Sequence, residues 1–154
     1  MDQFEEAVLN YLCGPPERFV SVQFTIPHSD SDGGSCPDFL VLDYSDSTVY
    51  VVEVTAAADS KGVQGRIIER ETRWLSPLRR HFNKLSSTFL TWDYHVTVFV
   101  RDEEFAIAQK RLSDFRDVSV IPLGKVVFSW QWDWQGSRPS NPLREPGKVS
   151  EGRS

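Results

Sequence analysis

A single glutamate inside an otherwise apolar strand constrains most strongly what this chain can fold into. Residues 48–55 read Thr-Val-Tyr-Val-Val-Glu-Val-Thr, a β-branched and aromatic run typical of a strand buried on both faces. Glu53 lies inside this run, where a carboxylate without a partner is costly to remove from water. The sequence therefore predicts a buried strand that carries a functional charge.

A second carboxylate, Asp38, begins the preceding apolar run at residues 38–42. If Ser45-Asp46 forms a two-residue turn, Asp38 faces Glu53 directly; a register shifted by two residues leaves the two diagonal but on the same face. Opposed carboxylates repel, and oxygen ligands favour Mg²⁺ or Mn²⁺, so the pair predicts a divalent metal site. The alternative is that either carboxylate lies at a strand end in water.

The order of the predicted elements indicates an α/β fold. We predict helices at 2–13, 60–84 and 102–115, and strands at 19–26, 38–42, 48–55, 94–100, 118–123 and 125–132. This order, α-β-β-β-α-β-α-β-β, implies a mixed central sheet flanked by helices on both faces. Within the long helix, Ser76 is predicted to cap a second part that Pro77 begins.

The length of 154 residues suits one domain. We predict that residues 1–135 form it and that 136–154, rich in Pro, Ser, Gly and charge, form a flexible tail or linker. The acidic N-terminus and the lack of a long apolar run lead us to expect an intracellular protein, neither secreted nor membrane-spanning, with reduced Cys13 and Cys36. Oligomeric state and membership of a larger protein or complex stay open.

Charge is unevenly distributed along the chain. The net charge is −5, yet residues 61–84 hold seven basic and two acidic residues. At 100° per residue, five of the basic residues form one stripe on the long helix: Arg66, Arg70, Arg73, Arg80 and Lys84. We expect this stripe to be free of salt bridges and to bind the phosphates of DNA or RNA. The alternative is an ordinary solvated helix face.

The first helix offers a third carboxylate. Its apolar positions, Phe4, Val8 and Leu12, place Glu5 beside the buried side and Glu6 on the solvated side. Glu5 is therefore a candidate metal ligand. The alternative is that Glu5 stabilises the helix N-terminus.

Two short motifs in this order of elements resemble the PD-(D/E)XK nuclease superfamily, over about residues 2–123. The motifs are Pro37-Asp38 and, after fourteen intervening residues, Glu53-Val54-Thr55. The resemblance implies a restriction-endonuclease-like core. It also implies that Asp38, Glu53 and the Val54 carbonyl hold Mg²⁺ or Mn²⁺, with Glu5 joining them, for hydrolysis of nucleic acid.

The chain departs from that family at Thr55, which stands where the family has its lysine. The resemblance suggests that Lys61, Arg66 or Arg70 supplies the missing cation, and Lys61 is our candidate catalytic residue. With such a displaced lysine, the chain is similar to the cap-snatching endonucleases of segmented negative-strand RNA viruses. It is also similar to the restriction-like endonucleases of some retrotransposons. If no cation replaces the lysine, the domain binds nucleic acid or a protein partner without cutting.

Overall fold

The computed structural model describes residues 1–28, 34–127 and 141–144. Its helices and strands follow the chain as α1 (Gln3–Leu12), β1 (Arg18–Val22), β2 (Phe39–Asp43), β3 (Thr48–Thr55), α2 (Lys61–Ile68), α3 (Ser76–Leu85), β4 (Asp93–Val100), α4 (Asp102–Leu112), β5 (Val118–Pro122) and α5 (Gly124–Val127). A π-helical segment, Glu71–Leu75, joins α2 to α3, and a 3-10 segment, Ser87–Thr91, follows α3. In the described ranges, none of these helices has the length and apolarity needed to cross a bilayer.

The five strands form one mixed sheet in the order β1-β2-β3-β4-β5. β1, β2 and β3 are a meander of antiparallel pairs, whereas β4 and β5 join in parallel. Parallel neighbours need crossover connections, which α2 with α3 and then α4 provide. The predicted α/β class with a mixed central sheet is confirmed.

Helices cover both faces of the sheet, as predicted. On one face, β3 and β4 present Val49, Val51, Val96 and Val98 to apolar side chains of α2, α3 and α4. On the other face, the alternate strand residues pack against α1, α5 and Leu143. This alternation assigns each strand residue to one of two cores.

Several details of the elements differ from the prediction. β1 ends at Val22, because Gln23 has a positive φ of 53° that interrupts the extended chain. Ser76 is not a cap: its backbone is helical, and its hydroxyl donates to Glu71 instead. Residues 124–127 are helical rather than the start of a strand, and residues 128–132 of that predicted strand lie outside the described residues.

Four residues of the predicted tail, 141–144, pack against the domain. Leu143 is buried, and its carbonyl accepts a hydrogen bond from the Thr97 hydroxyl at 2.6 Å. The Pro142 carbonyl accepts from the Tyr11 hydroxyl at 3.0 Å. These four residues therefore belong with the sheet, while 136–140 and 145–154 lie outside the described residues.

Replacing Leu143 with Ala is expected to lower the free energy of unfolding by about 2–4 kcal/mol, because it removes a buried side chain and leaves a cavity. Leu90→Ala, at an exposed leucine, is the matched control and should change stability little. Urea denaturation of the full chain measures both. Equal stabilities of the two variants would mean that residues 141–144 do not pack as described.

Candidate metal centre

The strand register brings Asp38 and Glu53 to the same face of the sheet. Phe39 pairs with Val52, and Asp43 with Thr48, so the next pair along places Asp38 opposite Glu53. This is the register that the two-residue turn predicts. Directly opposed residues of an antiparallel pair point to one face, with Cβ atoms about 4.5–5.5 Å apart.

The two carboxyl groups lie close together, with Glu53 buried and Asp38 half-buried. Glu53 is only 5% exposed, and the Asp38 carboxyl lies within its hydrogen-bonding reach. Burial, followed by the charge of Asp38, raises the pKa of Glu53 to about 7, although the nearby Arg66 guanidinium opposes the shift. The arrangement holds negative charge at a position where only a cation or a proton relieves it.

Main-chain groups of β3 complete this edge of the sheet. The Val54 amide donates to Asp38 Oδ2 at 2.7 Å, which orients the Asp38 carboxylate. The N–H and C=O of one residue in a strand point toward the same neighbour. The Val54 carbonyl therefore also points toward the neighbouring strand, on the side of Asp38. A metal ion held by the two carboxylates would need a further oxygen ligand there.

Arg66 is the cation nearest to the carboxylate pair among the described residues. Its Nη2 lies 3.3 Å from Glu53 Oε2. Val63 and Ile67 anchor α2 in the core, so the helix carries Arg66 across the face on which Glu53 lies. Arg66, predicted to bind nucleic acid and to be one of three residues that could supply the missing cation, thus lies beside Glu53.

Lys61 does not reach the carboxylate pair. Its side chain is 72% exposed, and its Nζ lies 3.9 Å from Asp59 Oδ2. Lys61 is the first residue of α2, whereas Arg66 lies more than one turn further along the helix. The structure therefore assigns the position beside Glu53 to Arg66 rather than to the predicted Lys61.

Glu5 takes part in capping α1. Asp2 Oδ1 accepts from the Glu5 amide at 2.9 Å, and Glu5 Oε2 accepts from the Asp2 amide at 3.0 Å, which forms a capping box. α1 also packs on the sheet face opposite to Asp38 and Glu53. Within the described ranges, no three His, Cys, Asp or Glu residues cluster closely enough to hold a metal, so the centre brings together two carboxylates.

The predicted basic stripe is partly neutralised, so the expectation that it lacks salt bridges is wrong. Arg70 makes two hydrogen bonds to Asp117, at 2.8 and 2.7 Å, and its guanidinium lies over the Phe115 ring. Arg73 lies 4.0 Å from Glu69. In the part of the chain that is described, Arg80 and Lys84 form no ion pair and are exposed.

No family model matches this chain, and no curated protein or solved structure matches it either.

Glu53→Gln is expected to stabilise the metal-free protein, and more so at pH 8 than at pH 5. The pKa of Glu53 in the folded chain, about 7, lies above its ordinary 4.5. The folded state therefore binds a proton more readily than the unfolded state, and the wild type loses stability as pH rises through this window. The glutamine side chain has no such charge. The free energy of unfolding of Glu53→Gln should therefore exceed that of the wild type by about 1–3 kcal/mol more at pH 8 than at pH 5.

Chemical denaturation in EDTA at pH 5 and pH 8 measures this difference. Asp114→Asn, at an exposed residue after α4, makes the same change of charge elsewhere and should show no comparable growth. A Glu53→Gln variant less stable than the wild type at both pH values would contradict the account of the pair.

Proposed function

We propose that this chain is a divalent-metal-dependent endonuclease with a restriction-endonuclease-like core, which hydrolyses phosphodiester bonds of DNA or RNA. One observation carries the proposal: the strand register opposes two carboxyl groups on one face of the sheet, and the buried one, Glu53, lies beside the Arg66 guanidinium. When both groups are ionised, the two carboxylates carry a charge of −2, of which Arg66 offsets half.

The donor set fits Mg²⁺ or Mn²⁺. Asp38, Glu53 and the Val54 carbonyl would hold the ion with hard oxygen ligands, and Mg²⁺ usually keeps several waters in such sites. When bound, the ion lowers the pKa of a coordinated water and neutralises charge on a phosphate. The Val54 amide already orients the Asp38 carboxylate, so this hydrogen bond would not have to change when a metal ion binds.

Arg66 is proposed to contact the scissile phosphate. A guanidinium stays protonated and forms paired hydrogen bonds to phosphate oxygens, so Arg66 replaces the electrostatic part of the family's lysine but cannot act as a base. The Arg66 side chain is 37% exposed, which leaves it room to turn from Glu53 toward a substrate. Thr55, in the lysine's position, cannot supply this charge.

Arg80 and Lys84 are proposed to bind phosphates further along the substrate. Both are exposed without an ion pair in the described part of the chain. Arg70 and Arg73 would first have to leave Asp117 and Glu69. We therefore expect them to contribute less to binding than the earlier five-residue stripe implied.

A second candidate function is a non-catalytic module of this fold that binds nucleic acid or a protein. The Arg66–Glu53 ion pair favours it, because a guanidinium there could take the place of a metal ion. Thr55, which stands where the family has its lysine, also favours the non-catalytic module. The two candidates differ in whether a metal ion displaces Arg66.

A cleavage assay with Mn²⁺ on single- and double-stranded DNA and RNA tests the proposed function. Asp38→Asn and Glu53→Gln should abolish cleavage, and Arg66→Gln should lower kcat by roughly 10²–10³-fold if it stabilises the transition state. Lys61→Gln, which removes an equal charge five residues earlier, and Asp114→Asn should cleave like the wild type.

Cleavage that is unchanged in Asp38→Asn and Glu53→Gln would refute the proposal. Absence of cleavage by the wild type, together with Mn²⁺-independent binding of an oligonucleotide, would instead favour the non-catalytic module.

A further inference from the structure

We propose that the outer edge of β1 is a docking site for an extended basic segment of a partner protein, which adds to the sheet as a further strand. We call this surface the β1 edge, and it is the side of Arg18–Val22 that faces away from β2. The inference goes beyond the proposed function and does not depend on it, because it needs neither the carboxylate pair nor a metal ion.

The hydrogen bonds between β1 and β2 show which main-chain groups face the β1 edge. β1 is the terminal strand of the sheet in the described part of the chain. The Gln23 amide donates to the Asp38 carbonyl at 3.1 Å, and the Tyr44 amide donates to the Glu17 carbonyl at 3.0 Å. In an antiparallel pair, every second residue directs its main-chain groups to the partner strand. The even-numbered residues between Glu17 and Gln23 therefore direct theirs to the β1 edge.

Three residues direct main-chain groups outward: Arg18, Val20 and Val22. The Arg18 amide is occupied, because it donates to the Pro15 carbonyl at 3.3 Å. The N–H and C=O groups of Val20 and Val22 have no hydrogen-bond partner within the described ranges. A strand edge with free donors and acceptors is a template for an extended segment of another chain.

Exposed apolar side chains flank these free main-chain groups. Phe19 is 63% exposed and Val22 is 41% exposed, and alternation along β1 places them on opposite faces of the sheet. The Phe19 ring meets the Tyr44 ring edge to face, with centroids 5.5 Å apart, which fixes its orientation. Because neighbouring strands pack their side chains against each other, an added strand would cover Phe19 and Val22.

The charge beside the β1 edge suits a basic partner. Glu17 immediately precedes β1 and is exposed. Residues 1–60 contain eleven acidic residues and a single Lys or Arg, Arg18. Arg18 is buried in an ion pair with Asp43 at 3.0 Å, so it offers no positive charge to a partner. A basic segment complements this surface, whereas nucleic acid or an acidic protein would be repelled.

Arg144 is an exposed cation at the same end of the sheet, but it lies on the face that α1 covers. It donates to the side chains of Tyr50 and Thr48, each at 3.0 Å. The Tyr50 hydroxyl also donates to Asp46, so Arg144 offsets the charge of Asp46. Glu17 forms no ion pair among the described residues, and its charge stays available to a partner.

A partner protein fits the β1 edge better than a second copy of this chain. Each copy carries a net charge of −5, and pairing two β1 edges would bring two acidic surfaces together. Like charges placed side by side weaken association.

Fluorescence anisotropy with a labelled basic peptide tests this inference on the full chain. The probe is Lys-Lys-Val-Thr-Val-Thr-Lys-Lys, which joins residues that favour strands to lysines at both ends. The control is the same peptide with glutamate in place of each lysine. The wild type should bind the basic peptide at least about 10-fold more tightly than the acidic one, and added salt should reduce the difference.

Val20→Pro removes an outward N–H and leaves the hydrogen bonds between β1 and β2 intact, a place where edge strands tolerate proline. It should weaken binding of the basic peptide about 10-fold or more, because a donor is lost and the ring obstructs the added strand. Val20→Thr keeps the main-chain groups and the β-branched shape, so it should bind like the wild type. Glu17→Gln should weaken binding about 2- to 5-fold, whereas Glu103→Gln on α4 should have no effect.

Hydrogen exchange of single amides, followed by NMR, keeps the inference testable if Val20→Pro does not fold. In the free wild type, the Val20 and Val22 amides should exchange rapidly, while the Ser21 amide, which faces β2, is protected. Saturation with the basic peptide should slow exchange at Val20 and Val22 by at least about 5-fold.

Equal affinities for the two peptides, equal binding by the wild type and Val20→Pro, or no binding of the basic peptide would overturn the inference. Slow exchange of the Val20 and Val22 amides in the free wild type would overturn it as well. Sedimentation would then assign the β1 edge to a second copy if the chain is dimeric, or to another part of the same chain if it is monomeric.

Discussion

The burial of a glutamate opposite a second carboxyl group on the neighbouring strand is the constraint on which the rest of this structure depends. Burial of Glu53, and secondly the charge of Asp38, raises the pKa of Glu53 to about 7. A stable fold could avoid this cost with an apolar residue at position 53. The glutamate inside a run of valines therefore carries a local energetic cost, which the proposed metal site would relieve.

The surrounding elements position charge around this pair. The antiparallel β2–β3 hairpin sets the two carboxylates opposite each other, the Val54 amide orients one of them, and α2 brings the Arg66 guanidinium to the other. The opposite face of the sheet holds α1, α5 and residues 141–144, which supply a second core rather than groups at the centre. Both faces therefore hold an apolar core, and one of them also carries the proposed chemistry.

Local patterns in the sequence were sufficient for most of the elements and for the carboxylate pair. The β-branched run at Thr48–Thr55 predicts β3 with its observed bounds, and the short turn before it predicts the register that joins Asp38 to Glu53. Most of the contacts that differed from expectation join residues far apart in the chain, although the Arg73–Glu69 ion pair is a local one. Arg70 pairs with Asp117, which lies 47 residues away in the chain, so one positive charge of the predicted stripe is neutralised. Helical periodicity relates only residues within one helix, so it could not predict this pair. Whether Lys61 or Arg66 lies beside Glu53 depends on how α2 packs on the sheet. The burial of Leu143 depends on apolar side chains that come from several different elements.

Diffraction from a crystal grown with Mn²⁺ tests the central claim most directly. The account predicts an anomalous peak in contact with both Asp38 and Glu53, at metal–oxygen distances of about 2.0–2.3 Å, with the Arg66 guanidinium turned away from Glu53. A crystal that shows no peak between the two carboxylates, with Arg66 still bound to Glu53, would contradict it.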